Sequence, residues 1–292
     1  MPIVIPDNST LVAGFLDRHG LAASDIVDRE EIAICSSFVA HVSVDLEYSR
    51  LPDERYQDPA IGVILNLLHR NFELVEASTV AFVTGSGAAS EVVSRASVEA
   101  SANVAYMLSG NATGRMLAYF DHYFRGVDRQ VKAWRTECAT LTGDDAKMHQ
   151  QAATRRQESN DILRDFVAQT FGVQNLEQWP SNVERRLREL GMALSYRTFY
   201  ARMSSETHGD AEETLRYFVG RVQETEVLEA MALETVWNTR LYLYYAISSF
   251  LRASSLYCER YVLVEAASRI SQLREKVEDE LHRTAQHIGA RV

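Results

Sequence analysis

Tyr196, Tyr200, Ser204 and His208 recur at every fourth position of the stretch running to Gly209. On an α-helix a step of four turns only about 40° past a full revolution, so these phenol, hydroxyl and imidazole groups form a slanted ridge. A second ridge of the same kind, Glu91, Arg95, Glu99 and Asn103, lies upstream among small and apolar residues. The two ridges are expected to face each other. Arg202 and His208 then supply what RNA cleavage without a metal needs. An imidazole takes the proton of a 2′-hydroxyl near neutral pH, and a guanidinium stabilises the charge that develops on phosphate. Glu99 or Tyr200 would orient the imidazole. On a regular helix Arg202 and His208 point about 120° apart. They converge only where the helix ends near Ser204, or where a homodimer supplies one side of a shared cleft from each subunit. The same groups also make a self-satisfying internal network, because buried polar side chains need partners. On that alternative the chain is a non-catalytic helical module that binds a protein partner or a small ligand.

Other chemistries fit less well. His41 with Asp45, and His69 with Glu73, are each four residues apart and share a helix face, with Glu99 a conceivable third ligand. A di-iron bundle instead needs Glu-x-x-His pairs, so neither a metal nor any other cofactor is expected. Gly85-Ser86-Gly87 is followed by no Gly-Lys-Ser/Thr and preceded by no strand, which leaves a helix–helix turn rather than a phosphate loop. Gly-x-Ser-x-Gly is absent, so no serine-hydrolase elbow is proposed.

The elements that must position these residues are helices. With 292 residues, 46% hydrophobic and 24% charged, the chain buries a large core and is too apolar to be disordered. Beyond Ala60 only Pro180 interrupts it, and an interior proline costs a helix about 3 kcal/mol. Asn8-Ser9-Thr10 caps a first helix that ends at Gly20. Ile61, Ile64, Leu65, Leu68, Phe72 and Val75 are spaced for a helix from Ala60 to about Ala81. The Glu91 ridge sits on the next, from Ala88 to about Leu108, and Asn111-Ala112-Thr113 opens another toward Trp134. Residues 144–165 read as a solvent-facing helix. Ser181 caps a short helix that ends at Gly191. From Glu226 to about Tyr261 runs a long helix whose apolar side includes Leu228, Leu233, Val236, Leu241, Tyr245 and Phe250. The last 30 or so residues form a charged helix suited to pairing with another chain. No alternating strand pattern appears. The expected fold is an all-α multi-helix bundle, residues 1–225 as its core and 226–292 as C-terminal helices packed on it, with an oligomerisation role open to them.

A net charge of −10 opposes extended contact with DNA, which rests on neutralising phosphates, but leaves room for RNA at a local cleft. The clusters Arg185/Arg186/Arg188 and Arg129/Lys132/Arg135 are expected to be solvated faces. Cys35, Cys138 and Cys258 lack disulfide or zinc spacing, and the first residues lack a basic leader with a long apolar run, so a cytoplasmic location is expected. The apolar run from Leu241 to Leu251 is shorter than the roughly 20 residues that span a bilayer.

Two resemblances rest on these residues. Arg95 and Glu99 four apart, Tyr106, Trp179, Leu190-Gly191, Tyr196, Tyr200, Ser204 or Ser205, and His208 resemble the pattern of the bacterial all-helical domain-of-unknown-function family 5677, from about Ile61 to Gly209. That resemblance implies a helical bundle and no settled activity. Arg202 and His208, five residues between them, are similar to the Arg-x(4–6)-His motif of the HEPN superfamily. That second resemblance implies a metal-independent ribonuclease of toxin or phage-defence systems, with Glu99 as the acidic residue on another helix. Met203 stands where that motif usually has a polar residue.

Overall fold

The structure, a computed structural model, describes residues 5–25, 28–49, 51, 54, 57–172, 177–203, 215, 218–219 and 225–288. Among them there is helix and no strand, so the fold is all-α. Helix α1 (Asn8–His19) starts one residue earlier than its Asn-Ser-Thr signal, because the Asp7 carboxylate accepts from the Thr10 amide at 2.8 Å. It ends at Gly20, whose φ of 63° is open to a residue without a Cβ. Helix α2 spans Asp28–Tyr48 and α3 spans Pro59–Val83. Asp58 caps α3 by accepting from the Ala60 amide at 2.9 Å, with Pro59 in the first turn where its missing N–H costs nothing. Then come α4 (Gly87–Leu108), α5 (Ala112–Cys138), α6 (Gly143–Phe171) and α7 (Val183–Glu189). Asn182, not Ser181, caps α7 by accepting from the Arg185 amide at 2.9 Å. A single turn, α8 (Ala193–Ser195), runs into a π-helical turn, Tyr196–Tyr200, and three further helical residues, 201–203. Helices α9 (Thr225–Tyr261) and α10 (Val264–His287) complete the chain.

These helices belong to two compact units, residues 1–109 with 182–292, and residues 110–181. In the first, α9 packs along α4, α10, α3 and α2. Tyr242, Tyr244, Phe250 and Tyr257 of α9 are essentially fully buried, which makes the aromatic run a core. That burial begins only at Asn238. Leu228, Leu233 and Val236, expected on the buried side, are exposed, since no described element covers the first three turns of α9.

The α3–α4 seam is polar, although its residues are buried. Ser90, Ser94, Ser97 and Ser101 repeat at helical spacing on one side of α4 and turn toward α3. Ser78 of α3 bonds Ser94 at 2.6 Å and Ser90 at 3.1 Å. Asn71 donates to Ser101 and accepts from Ser97, both at 2.7 Å. Small side chains let the two helices approach closely, and each hydroxyl finds a partner across the seam.

In the second unit α5 and α6 pair around Val127, Val131 and Ala153, with Trp134 against them. Asp128 of α5 accepts from three α6 side chains, Gln157 at 3.0 Å, Asn160 at 2.9 Å and Arg164 at 2.5 Å. Trp179 packs edge-on against Tyr119. The polar face of α6 lies in solvent, as its composition suggests. No described helix is long and apolar enough to cross a membrane.

Candidate functional site

The two polar ridges meet at Glu99 and Tyr200. Glu99 lies in the middle of α4 and Tyr200 closes the π turn. The phenol donates to Glu99 Oε2 at 3.2 Å. One turn before Glu99, the Arg95 guanidinium lies 5.4 Å from the centre of the Tyr200 ring, within cation–π range. Burial raises the Tyr200 pKa, opposed by Arg95 and reinforced by the Glu99 charge, so the hydroxyl keeps its proton and acts as a donor. Tyr196 stacks on Tyr200 with ring centres 5.6 Å apart.

The segment carrying the tyrosines is not the regular helix its four-residue spacing suggests. Tyr196–Tyr200 is wound as a π turn, in which the Ala201 amide donates to the Tyr196 carbonyl five residues back. Such turns recur at functional sites because the widened turn redirects side chains. Here it splits the segment between two neighbours. Phe199 stacks on Tyr245 of α9 at 4.2 Å, while Tyr200 turns to α4. Met203 is fully buried, which accounts for an apolar residue directly after Arg202. Arg202 itself is exposed.

Arg186 of α7 joins the cluster and was not expected there. Its Nη2 lies 3.5 Å from Glu99 Oε1, with the arginine side chain 5% exposed and the glutamate 43% exposed. The triple-arginine sequence reads as a solvated face, and its flanks are one. Arg185 and Arg188 are exposed and pair along the helix with Glu189 at 3.3 Å and Glu184 at 2.7 Å. The middle arginine points the other way, with the apolar face of Val183 and Leu187. That helical offset is the signal that finds it.

The remaining ridge residues divide. Glu91 accepts from Thr239 of α9 at 2.6 Å, so this end of the α4 ridge is tied to α9 rather than to the π turn. Arg95 Nε and Asn103 Oδ1 are buried and meet no hydrogen-bond partner among the described residues. Ser204 and His208 lie outside the described residues. The structure therefore brings Arg95, Glu99, Tyr196 and Tyr200 together, adds Arg186, and sets Arg202 on the exposed side of the same segment.

On the other side of the π turn a cleft of about 490 Å³ is lined by Ser195, Phe199, Tyr245, Arg252, Glu259 and Arg274, among others. Elsewhere, His69 of α3, which the sequence pairs with Glu73, lies beside residues of another helix. It meets His41 and Asp45 of α2, and one ligand atom from each of the three lies within 4.8 Å of the others.

No curated protein and no solved structure matches the chain. A family model does, over residues 62–225, more than half of the sequence, spanning α3, α4, α7 and the π turn. The chain belongs to the family described as Family of unknown function (DUF5677).

Proposed function

We propose that the protein is a HEPN-like, metal-independent ribonuclease, or a toxin or phage-defence relative of one, acting in the cytoplasm. One observation carries this reading. Glu99 and Tyr245 hold the π turn from two sides, and the residue displayed to solvent just beyond it is Arg202. A cation held on a fixed segment, six positions before a histidine in the sequence, suits a phosphate contact beside a proton-transfer group. In the reaction His208 takes the proton of a ribose 2′-hydroxyl and the 2′-oxygen attacks the adjacent phosphorus. The bond to the 5′-oxygen breaks, leaving a 2′,3′-cyclic phosphate, and a proton passes to the departing 5′-oxygen. Arg202 neutralises the phosphate charge as it builds. The clasp of Glu99, Tyr200, Arg95 and Arg186 positions the segment and does not touch substrate.

A second reading is a non-catalytic module that binds a protein partner or a small ligand. It is supported by the engagement of both Glu99 oxygens, one by Tyr200 and one by Arg186, and by the cleft behind Phe199. Expression of wild type, His208→Ala and Arg202→Ala in a bacterial host separates the two. The ribonuclease reading expects growth arrest and fragmented RNA from wild type alone. Identical RNA from folded wild type and His208→Ala discards it in favour of the module.

A further inference from the structure

His41 and Asp45 stand one turn apart on α2, and α3 packs beside them with His69. His69 Nε2 lies 2.5 Å from Asp45 Oδ1, and His41 Nε2 lies 3.7 Å from Asp45 Oδ2. The two imidazoles are edge to face with centres 5.0 Å apart. His41 is fixed by stacking on Phe72 at 4.2 Å and 2°. Nothing in the proposed ribonuclease chemistry uses these residues.

We propose that His41, Asp45 and His69 form a three-ligand site for one divalent transition-metal ion of the zinc class, its remaining position open to solvent. Two imidazoles and a carboxylate are a donor set that first-row ions such as zinc accept, and three protein ligands leave room for a water. With bonds of about 2.0–2.1 Å, tetrahedral ligand atoms stand roughly 3.3 Å apart. The present separations bracket that value. Drawing the three donors onto one ion means opening the Asp45–His69 contact by about 0.8 Å and closing the other two pairs, none of the three ligand atoms lying more than 4.8 Å from another. Asp45 and His69, at 41% and 39% exposure, have the freedom to make that change. Glu73 adds negative charge around the site, which favours a cation, while Glu76 is paired with Arg18 at 2.5 Å. Bound there, the ion would cross-link α2 to α3.

The test is titration of the chelator-stripped full chain with zinc chloride in a calorimeter, followed by cobalt(II) and its visible d–d absorption. One equivalent should bind at micromolar affinity or tighter, raise the melting temperature, and give cobalt bands of a four- or five-coordinate nitrogen/oxygen site. Asp45→Asn and His69→Ala should each weaken binding by at least about 100-fold, while His149→Ala leaves it unchanged. No binding to wild type with full helical circular dichroism overturns the site. So does equal binding by Asp45→Asn and His69→Ala. If a variant loses its helical signal, the wild-type cobalt spectrum decides, and a spectrum of free hexaaqua cobalt rejects the proposal.

Discussion

Tyr200 donates a hydrogen bond to Glu99 across 101 residues of sequence, and this contact fastens the π turn to the middle of α4. Its worth is testable by a double-mutant cycle. Tyr200→Phe removes one part-exposed bond to a charged acceptor, a loss of about 1–2 kcal/mol. Glu99→Ala also takes a carboxylate from the buried Arg186 guanidinium and should cost more, about 2–4 kcal/mol. Denaturant unfolding of the single and double variants should give a coupling of about 1 kcal/mol. Additive losses would show that the two side chains act independently.

The α3–α4 seam should be sensitive to Asn71 and tolerant at single serines. Asn71→Leu leaves the Ser97 and Ser101 hydroxyls without their buried partner and puts bulkier methyl groups into a tight contact, so about 2–4 kcal/mol is expected. Ser97→Ala removes one hydroxyl and should cost about 1 kcal/mol. Thermal and chemical unfolding rank the two, and a larger loss at Ser97 contradicts the arrangement.

Burial pushes the Cys35 thiol up to about 11 and the Cys258 thiol up to about 12, with nearby glutamate charges adding to both shifts. A raised thiol pKa means that almost no thiolate is present at pH 8, and thiolate is the reactive form. Iodoacetamide should therefore modify Cys35 and Cys258 far more slowly in the native protein than after denaturation. Mass spectrometry of the alkylated native chain checks this, and rapid labelling of either residue contradicts its placement.

Hydrogen bonds from Gln157, Arg164 and Asn160 hold the Asp128 carboxyl below its ordinary value of 3.8. A carboxyl whose pKa is lowered by folding stabilises the fold above the unfolded value, and that contribution disappears as pH falls through the folded one. Wild type should exceed Asp128→Asn in stability at pH 6. The advantage should shrink below about pH 4. A difference that grows on acidification has the wrong sign for this network.

Helix content and most boundaries are legible in the sequence because caps and apolar spacing are local. Asn111 and Gly20 sit where such signals place them. The four-residue ridges are legible too, and the contact of Glu99 with Tyr200 lies where they cross. What is not legible depends on neighbours far away in the chain. The π turn keeps the spacing of an α-helix and differs only in winding. The helical offset of Arg186 sets it on the apolar face of Val183 and Leu187, but that Glu99 of α4 is its partner follows only from packing. Leu228, Leu233 and Val236 carry an apolar stripe that no described helix covers. His41 and Asp45 share a helix face in the sequence, but His69 joins them only through the packing of α2 on α3.

Cleavage of a fluorescent single-stranded RNA by purified protein in excess EDTA tests the central claim most directly, comparing wild type with His208→Ala and Arg202→Ala. The account predicts metal-independent cleavage by wild type, fragments bearing 2′,3′-cyclic phosphate and 5′-hydroxyl ends, and a loss of at least about 100-fold in either variant. Intact RNA with folded wild type, or equal cleavage by folded His208→Ala, contradicts it.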